Sequence, residues 1–405
     1  MLNQLNIIGT VIDVEELNGK LYMTGSFSFV NGEYRKGFAV IDLSTGELDP
    51  LTATLVPSST YVTSGDGNIF VAGSFASING VSIRGLAKLN VADGSNSWEA
   101  VLTEEQFSGS SQLYVNRITY HEASKTVYAS GKIIGTATLN NGSTFSTNVA
   151  IGFNETTSQP VEIPDISTVT IQNPAFMDIE VNPDDDILYI SNHPNVSAFD
   201  IDPTQGKLTQ NFSFSYQATS GPSGSNGIAT YPILIRYLDS KLYVDGFGSN
   251  YGIEEISPTT GVPTGNPKIL HFKQAYQGDA GSLDVVKIDN TLMIVGSYTH
   301  IGVDSFTSDK SENGNPSFAV IDLSTGNFIS QKILFRSIRL LTLGPNGPQP
   351  DYQPMFIYKI FLHEGKAHLF GSITQVDGVE YTSSHYIVNL SGERIQKTMN
   401  MKMLV

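Results

Sequence analysis

The sequence predicts an all-β protein built from seven tandem repeats, and three observations support this prediction. First, the nine residues 38–46 recur identically at residues 318–326. Second, an apolar triplet rich in strand formers recurs with a glycine close behind it, and Asn192 replaces the glycine in one copy. These seven markers fall at positions 25, 73, 131, 192, 246, 296 and 371. Third, helical periodicity is nearly absent along the chain.

The spacing of the markers accounts for the whole chain. Their mean separation is about 58 residues, close to one seventh of the 405 residues. We therefore expect one domain over residues 1–405 with no room for another. The expected repeat boundaries are approximately 1–56, 57–105, 106–165, 166–215, 216–272, 273–340 and 341–405.

Each repeat reads as four short strands. In the first, strands over residues 12–17 and 21–29 flank the tight turn Asn18-Gly19, and strands over 38–43 and 48–55 follow. Tandem four-stranded units of this size are typical of a β-propeller. The competing parallel β-helix has shorter rungs and does not need two hairpin turns per unit. The predicted fold is a single seven-bladed β-propeller of four-stranded antiparallel blades.

The composition excludes several kinds of site. With no cysteine, the chain has no disulfide, thiolate zinc site, iron–sulfur cluster or cysteine nucleophile. Charged residues make up only 15% of the chain, and the formal net charge is −16. Such an acidic surface repels nucleic acid and anionic lipid. The sequence contains no run of about 18 apolar residues, so no membrane-spanning helix is predicted.

The first two repeats resemble a known bacterial repeat. The segments Gly25-Ser26-Phe27 with Asn31-Gly32 and Gly73-Ser74-Phe75 with Asn79-Gly80 are similar to delta-sixty, kelch-like β-propeller repeats. The resemblance is partial in the sixth and seventh repeats. It implies a propeller fold and a binding or scaffolding role, often outside the cell. From strand periodicity alone, Phe27 and Phe75 are expected to pack between blades.

The chain offers no recognisable catalytic or metal motif. Its seven histidines form no metal-binding spacing, and residues 182–186 (NPDDD) read as a turn rather than a calcium loop. No nucleophile elbow or phosphate-binding loop occurs. We therefore predict no catalytic, metal or cofactor site and no enzyme activity. A carboxylate pair meeting at the axis remains open, because folding rather than spacing sets its separation.

Long connections favour one face of the propeller for binding, since loops on rigid scaffolds often carry function. These connections cover residues 133–148, 217–231, 301–317 and 343–354, and neutral drift of exposed loops is the alternative. The candidate binding residues are Phe306, Asp309, Lys310, Asn313, Asn148, Ser225, Asn226 and Tyr352.

The expected setting follows by elimination. The chain is rich in Ser, Thr, Asn, Gly and Tyr, yet its start shows no signal-peptide pattern. We expect a structural or binding component of a bacteriophage particle, in the tail, baseplate, collar or fibre region. Its expected partners are other virion proteins and a host cell-surface glycan or protein. The alternatives are a bacterial surface or secreted propeller that adheres or binds carbohydrate and, less favoured, a carbohydrate-active propeller enzyme.

Overall fold

A computed structural model gives the fold for most of the chain. It describes residues 2–56, 60–98, 112–134, 137–138, 144–145, 150–164, 178–191, 195–217, 231–247, 251–265, 269–272, 281–298, 300–303, 317–325, 327–329, 333, 335–341 and 349–390. All regular elements in these ranges are β-strands, which confirms the predicted all-β class. No helix in them is long and apolar enough to span a bilayer.

The strands are numbered in chain order. The first ten are β1 (Ile7–Leu17), β2 (Lys20–Val30), β3 (Glu33–Tyr34), β4 (Phe38–Asp42), β5 (Leu55–Val56), β6 (Thr60–Gly65), β7 (Asn68–Gly73), β8 (Ser77–Ile78), β9 (Val81–Ser82) and β10 (Leu86–Leu89). The next ten are β11 (Gln112–His121), β12 (Thr126–Ile134), β13 (Ala137–Thr138), β14 (Thr144–Phe145), β15 (Ala150–Asn154), β16 (Ile179–Asn182), β17 (Ile187–Ser191), β18 (Asn195–Ile201), β19 (Leu208–Gln210) and β20 (Tyr216–Gln217).

The second half of the chain continues the same pattern. Its strands are β21 (Tyr231–Leu238), β22 (Lys241–Phe247), β23 (Tyr251–Ile256), β24 (Ile269–Phe272), β25 (Gly281–Ile288), β26 (Thr291–Ser297), β27 (His300–Val303), β28 (Phe318–Asp322), β29 (Asn327–Phe328), β30 (Arg336–Leu341), β31 (Gln349–Pro354), β32 (Phe356–His363), β33 (Lys366–Ser372), β34 (Gln375–Val376), β35 (Val379–Glu380) and β36 (His385–Asn389).

One antiparallel meander recurs seven times in the described residues. In chain order, units 1 to 7 are β1-β2-β4, β6-β7-β10, β11-β12-β15, β16-β17-β18-β19, β21-β22-β23, β25-β26-β28-β29 and β32-β33-β36. Six of the seven sequence markers lie on the second strand of a unit. The seventh, Asn192, directly follows β17 and is outside the described residues.

The fourth strand is reduced in several units. Units 4 and 6 have a paired fourth strand, β19 and β29. In units 1, 2, 3 and 5 the pairing at this position is a single bridge, and these bridges are Ile41–Leu48, Leu89–Asn96, Phe153–Pro160 and Ile256–Pro263. Proline lacks the N–H that a ladder requires, so it limits pairing at two of these positions, and Pro50 does so in unit 1. The predicted strand over residues 48–55 is therefore a bridge at Leu48 followed by the short β5.

The first strands of the units close into a ring. Each packs against the first strand of the next unit, in the order β1, β6, β11, β16, β21, β25 and β32, and β32 packs against β1. Apolar clusters fill the spaces between neighbouring sheets, with Phe27 and Phe75 only 1% and 2% exposed. This arrangement confirms the predicted propeller-type fold and the core role of both rings.

A bulge in the first strand explains the marker glycine of unit 1. In unit 1 the register of β1 against β2 shifts between Val11 and Asp13, opposite Gly25. A Cβ at Gly25 would collide with the carbonyl oxygen of Thr10, so the bulged backbone requires glycine here. Similar shifts occur in units 3, 5, 6 and 7.

One expected loop is partly strand. Residues 349–354, predicted as part of a connection between blades, form β31, which pairs with β30 in an antiparallel hairpin. Tyr352 therefore lies on a strand opposite Ile338 rather than in an irregular loop.

Candidate functional site at the centre of the ring

The residue that follows each bulge, or its equivalent, comes to the centre of the ring. Strand register aligns these seven positions, each opposite the residue just before a marker. They are Asp13, Tyr61, Arg117, Asp178, Leu234, Asp284 and Lys359. Glu15, Glu180 and Arg236 lie two residues further along three of the same strands. Together, these ten residues are called the axial ring.

Arg236 joins three units at the axis. Its Nη1 lies 2.9 Å from Oδ2 of Asp178, and its Nε lies 3.0 Å from Oδ1 of Asp284. Its Nη1 is also 4.0 Å from a carboxylate oxygen of Glu180. The two aspartate side chains are only 1% and 3% exposed, and this guanidinium is the cation that they share.

Two further contacts extend the ring. Lys359 of unit 7 lies 3.1 Å from Oδ1 of Asp13 in unit 1. On the other side, Nε of Arg117 is 3.6 Å from Oδ1 of Asp178, and its guanidinium carbon lies 4.3 Å from the centre of the Tyr61 ring. Charge contacts and one cation–π contact therefore link five of the seven neighbouring pairs of units around the axis.

Carboxylates of the axial ring also bind the backbone of the next unit. The three aspartates accept bonds from N–H groups of the following first strand, at Val62 (3.1 Å), Ile235 (2.9 Å) and Ile360 (3.0 Å). Glu180 repeats this contact with the N–H of Tyr237 at 3.1 Å. Because charge-assisted bonds to backbone N–H groups are strong, each carboxylate fixes one unit against its neighbour.

Burial and neighbouring charges shift the pKa values of these carboxyl groups in opposite directions. Burial raises the pKa of Glu180 to about 7, against the attraction of Arg236. Burial also raises the pKa of Glu15. The pKa of Asp284 is lowered, because Lys359 and Arg236 outweigh its burial. The arrangement thus combines fixed charges with Glu180, a carboxyl that exchanges a proton near neutral pH.

The described residues offer no cluster of three or more metal-binding side chains. The acidic run at 182–186 forms a turn between β16 and β17, as predicted. The side-chain oxygen of Asn182 accepts a bond from the Asp184 N–H at 3.0 Å, and its amide donates to Asp185 at 3.1 Å. The side chains of Asn182 and Asp185 therefore make hydrogen bonds within the turn itself.

A second polar cluster lies where unit 7 meets unit 1. Residues 2–7, called the N-terminal segment, pack beside β36, with Leu2, Leu5 and Ile7 each 1% exposed. The N–H of Leu5 donates to Nδ1 of His385 at 2.9 Å. Ser383 donates its hydroxyl to the Leu5 carbonyl at 2.7 Å and accepts from the Ile7 N–H at 3.2 Å.

The hydrogen bonds of His385 fix its protonation. Its Nδ1 accepts from Leu5, so its proton is on Nε2, which donates to Nδ1 of His368 at 2.9 Å. Both side chains are fully buried, and the two rings stack 5.1 Å apart. Burial lowers the pKa of His368 to about 3 and that of His385 well below its usual value. Both imidazoles are therefore neutral in the folded protein.

The predicted binding residues are not brought together in the described structure. Phe306, Asp309, Lys310, Asn313, Asn148, Ser225 and Asn226 lie outside the described residues. Only the backbone of Tyr352 is placed, on β31.

The axial ring was not predicted, although the sequence carries a signal for it. The seven central residues lie 12 positions before their marker in five units. They lie 14 positions before it in units 3 and 4, whose first hairpin turns are longer.

Comparison with known proteins yields structural similarity alone. No protein-family profile and no curated protein matches the sequence. A periplasmic gluconolactonase of Pseudomonas aeruginosa is 13% identical with a TM-score of 0.45, covering 80% of this chain and 93% of that one. YCF48 bound to D1 peptide is 12% identical with a TM-score of 0.45, covering 92% and 91%.

A putative 6-phosphogluconolactonase of Bacteroides fragilis is 15% identical with a TM-score of 0.33, covering 64% of this chain and 93% of that one. Two of these three structures are described as lactonases, one of them as putative, which contradicts the prediction that the chain is not an enzyme. TM-scores below 0.5 assign no activity or substrate to this chain.

Proposed function

We propose that this chain is a β-propeller of seven four-stranded blades that acts as a structural and partner-binding component of a bacteriophage particle. The seven meanders, their ring of first strands and the fourth-position bridges support the blade count. The binding role rests on one observation, an exposed apolar row across three adjacent strand segments of unit 1. The row consists of Ile8, Phe29 and Tyr34.

The row is a continuous strip. Ile8 on β1 pairs with Phe29 on β2, and Phe29 pairs with Tyr34 on β3. The three side chains are 55%, 38% and 60% exposed. The rings of Phe29 and Tyr34 meet edge to face with centroids 5.6 Å apart, so they present one preformed surface.

Units 2 and 7, in which the structure describes the aligned strand pairs, do not carry this row. In unit 2 the aligned positions of the same three-stranded element hold Val56, Ser77 and Ser82. In unit 7 the aligned pair is Gln375 and Glu380. The repeat therefore folds with small or polar residues here, and contact with a partner accounts for the apolar side chains of unit 1.

The partner we propose is a neighbouring protein of the particle. A net charge of −16 disfavours nucleic acid and anionic membranes. An exposed aromatic pair on a rigid sheet has the composition of a protein–protein contact core. The ion pairs of the axial ring support the structural part of the role, because they fix the units that carry this surface.

The test compares the wild-type chain with the double variant Phe29→Ser, Tyr34→Ser, which brings unit 1 closer to unit 2. Immunogold labelling and co-sedimentation measure incorporation into purified particles. We expect the variant to lose incorporation while its unfolding free energy changes by no more than about 1 kcal/mol, because the altered side chains are exposed. Val81→Ser, at a 60% exposed position on unit 2, is the matched control and should incorporate normally.

Two results would overturn the proposal. Absence of the wild-type chain from particles removes the particle setting. Normal incorporation of the double variant would show that the apolar row does not contact the partner.

A further inference from the structure

Unit 4 carries a cavity on its outer edge, remote in sequence from the apolar row of unit 1. Strands β19 and β20 both pair with the same edge of β18, and residues 211–215 leave that edge between them. The resulting arch encloses a cavity of about 270 Å³. It is lined by Asn195, Val196, Ser197, Ala198, Gln210, Asn211, Phe212, Phe214, Ser215 and Tyr216.

Both ends of the arch are fixed. Asn211 donates its amide to Asp200 at 2.8 Å, and its side-chain oxygen accepts from the Ser213 N–H at 3.0 Å. At the other end the Tyr216 hydroxyl donates to Glu254 at 3.0 Å. The Phe214 ring packs 5.3 Å from Tyr189 in the core. The cavity is therefore a built feature of the blade rather than a gap in its packing.

The chemistry of the lining is uncharged and polar. It combines amides and hydroxyls with aromatic rings and holds no acidic or basic side chain, although the chain is strongly acidic. The lining contains the side-chain amides of Asn195, which is exposed, and of Gln210, which is partly buried. Phe212 stands at the opening with 83% of its surface exposed.

This combination selects a class of ligand. An ionic ligand would find no opposite charge in the lining, and burying it without one is costly. A purely apolar ligand would cover the amides of Asn195 and Gln210 without pairing them. A neutral sugar offers hydroxyls to the amides and a C–H face to the ring of Phe212. We propose that this cavity binds one or two units of a neutral carbohydrate.

Comparison with unit 1 shows a sequence difference at this site. Leu48 in unit 1 and Leu208 in unit 4 occupy the same ladder position, opposite Ile41 and Ile201. Two residues further on, unit 1 has Pro50, whereas unit 4 has Gln210. Proline ends the edge pairing in unit 1, while Gln210 continues it and places an amide at the cavity.

Saturation-transfer NMR on the full-length chain tests the proposal. The probes are glucose, galactose, N-acetylglucosamine and their β-1,4-linked dimers, with glucuronate and glucosamine as charged counterparts. We expect transfer to at least one neutral probe and weaker binding of its charged counterpart. Phe212→Ala and Gln210→Ala should each raise the dissociation constant of the sugar about tenfold, which corresponds to about 1.4 kcal/mol.

The control variant is Phe356→Ala, which removes a 42% exposed aromatic ring from unit 7 and should leave sugar binding unchanged. Unchanged melting temperatures for Phe212→Ala and Gln210→Ala separate lost binding from lost folding. The proposal fails if no neutral probe shows transfer, if both cavity variants bind like the wild type, or if the charged probes bind more tightly. None of these results depends on whether the chain belongs to a phage particle.

Discussion

The junction between units 1 and 2 and the junction between units 7 and 1 use the same hydrogen bonds with different covalent connections. In the first, the N–H of Thr54 donates to the Asn79 side chain at 2.8 Å, and the Asn79 N–H donates to the Thr54 carbonyl at 2.9 Å. In the second, Asn6 and Asn31 make the same pair of bonds at 2.9 and 2.7 Å.

The difference lies in how each segment reaches its place. Residues 51–56 run directly from unit 1 into unit 2. The N-terminal segment has no peptide link to unit 7, and Ser383 and His385 hold it there instead. One junction is closed by chain connectivity and the other by buried side chains, so the second is where we expect the ring to open first.

Deleting residues 2–6 is expected to have the largest effect on stability, because it removes the segment that joins unit 7 to unit 1. It removes the burial of Leu2 and Leu5 together with the bond to His385, so we expect a loss of about 5 kcal/mol in the free energy of unfolding. Urea denaturation measures this loss. The exposed substitution Asn3→Ala is the control and should change stability by less than about 0.5 kcal/mol. A deletion that costs less than about 1 kcal/mol would show that the segment does not close the ring.

Arg236→Met tests whether the axis matters as much as the junction. It leaves Asp178 and Asp284 buried without their common cation, and removing one partner of a buried pair costs about 3 to 5 kcal/mol. Arg236→Lys keeps the charge but not the fork that reaches both carboxylates, and should cost less. Thermal and urea unfolding measure both variants, and equal stability of Arg236→Met and wild type would contradict the role of the axial ring.

The pH dependence of stability separates the two regions by sign. Below about pH 6.5 the unfolded chain protonates His368 and His385 but the folded chain does not, so acidification should cost about 1.4 kcal/mol per pH unit for each. Glu180 acts oppositely. Its folded pKa of about 7 exceeds the unfolded value near 4.5, so lowering the pH from 7 to 4.5 should stabilise the fold.

Two variants measure these opposing slopes by urea denaturation between pH 4.5 and 7. His385→Gln should make the loss of stability on acidification shallower, whereas Glu180→Gln should make it steeper. Identical slopes in both variants and the wild type would contradict the buried, neutral histidines and the raised Glu180 pKa.

The smallest expected effects come from the matched pair Asn31→Gly and Asn79→Gly. Both residues have left-handed backbone angles (φ 51° and 50°), so glycine removes the side-chain bonds without adding backbone strain. Asn79→Gly also removes the bond from the Asn79 amide to the Gly94 carbonyl at 3.2 Å. Each change should cost about 1 kcal/mol. Hydrogen exchange should rise more around residues 2–8 in Asn31→Gly than around residues 51–56 in Asn79→Gly. Equal rises would show that the covalent link does not matter.

The sequence predicted the repeat because its signals are local. Apolar triplets, marker glycines and Asn-Gly turns each depend on a few neighbouring residues. Both residues of the turn Asn18-Gly19 adopt positive φ, as a tight hairpin requires. The identical segments at 38–46 and 318–326 both begin with the same Phe-Ala-Val-Ile-Asp strand, β4 and β28.

The axial ring and the contact between the N-terminal segment and unit 7 were not predicted, because the residues in contact are distant in sequence. Asp13 contacts Lys359 across 346 positions, and Leu5 binds His385 across 380. Spacing gives each unit its central residue but does not say which charges meet. The cavity of unit 4 depends on a break in edge pairing, and the residues of its arch resemble an ordinary turn in sequence.

Whether the charges of the axial ring can alternate in sign depends on whether the number of repeats is odd or even. Around the axis the charges run negative at Asp13, positive at Arg117, negative at Asp178, positive at Arg236, which supplies the charge of unit 5 two residues after the neutral Leu234, negative at Asp284 and positive at Lys359. Seven positions cannot alternate in sign without a mismatch, because seven is odd. Tyr61 removes the mismatch, since its ring accepts Arg117 on its face and adds no charge. Gain or loss of one repeat would therefore require a new neutral position or its removal, which links the number of repeats to the residue at position 61.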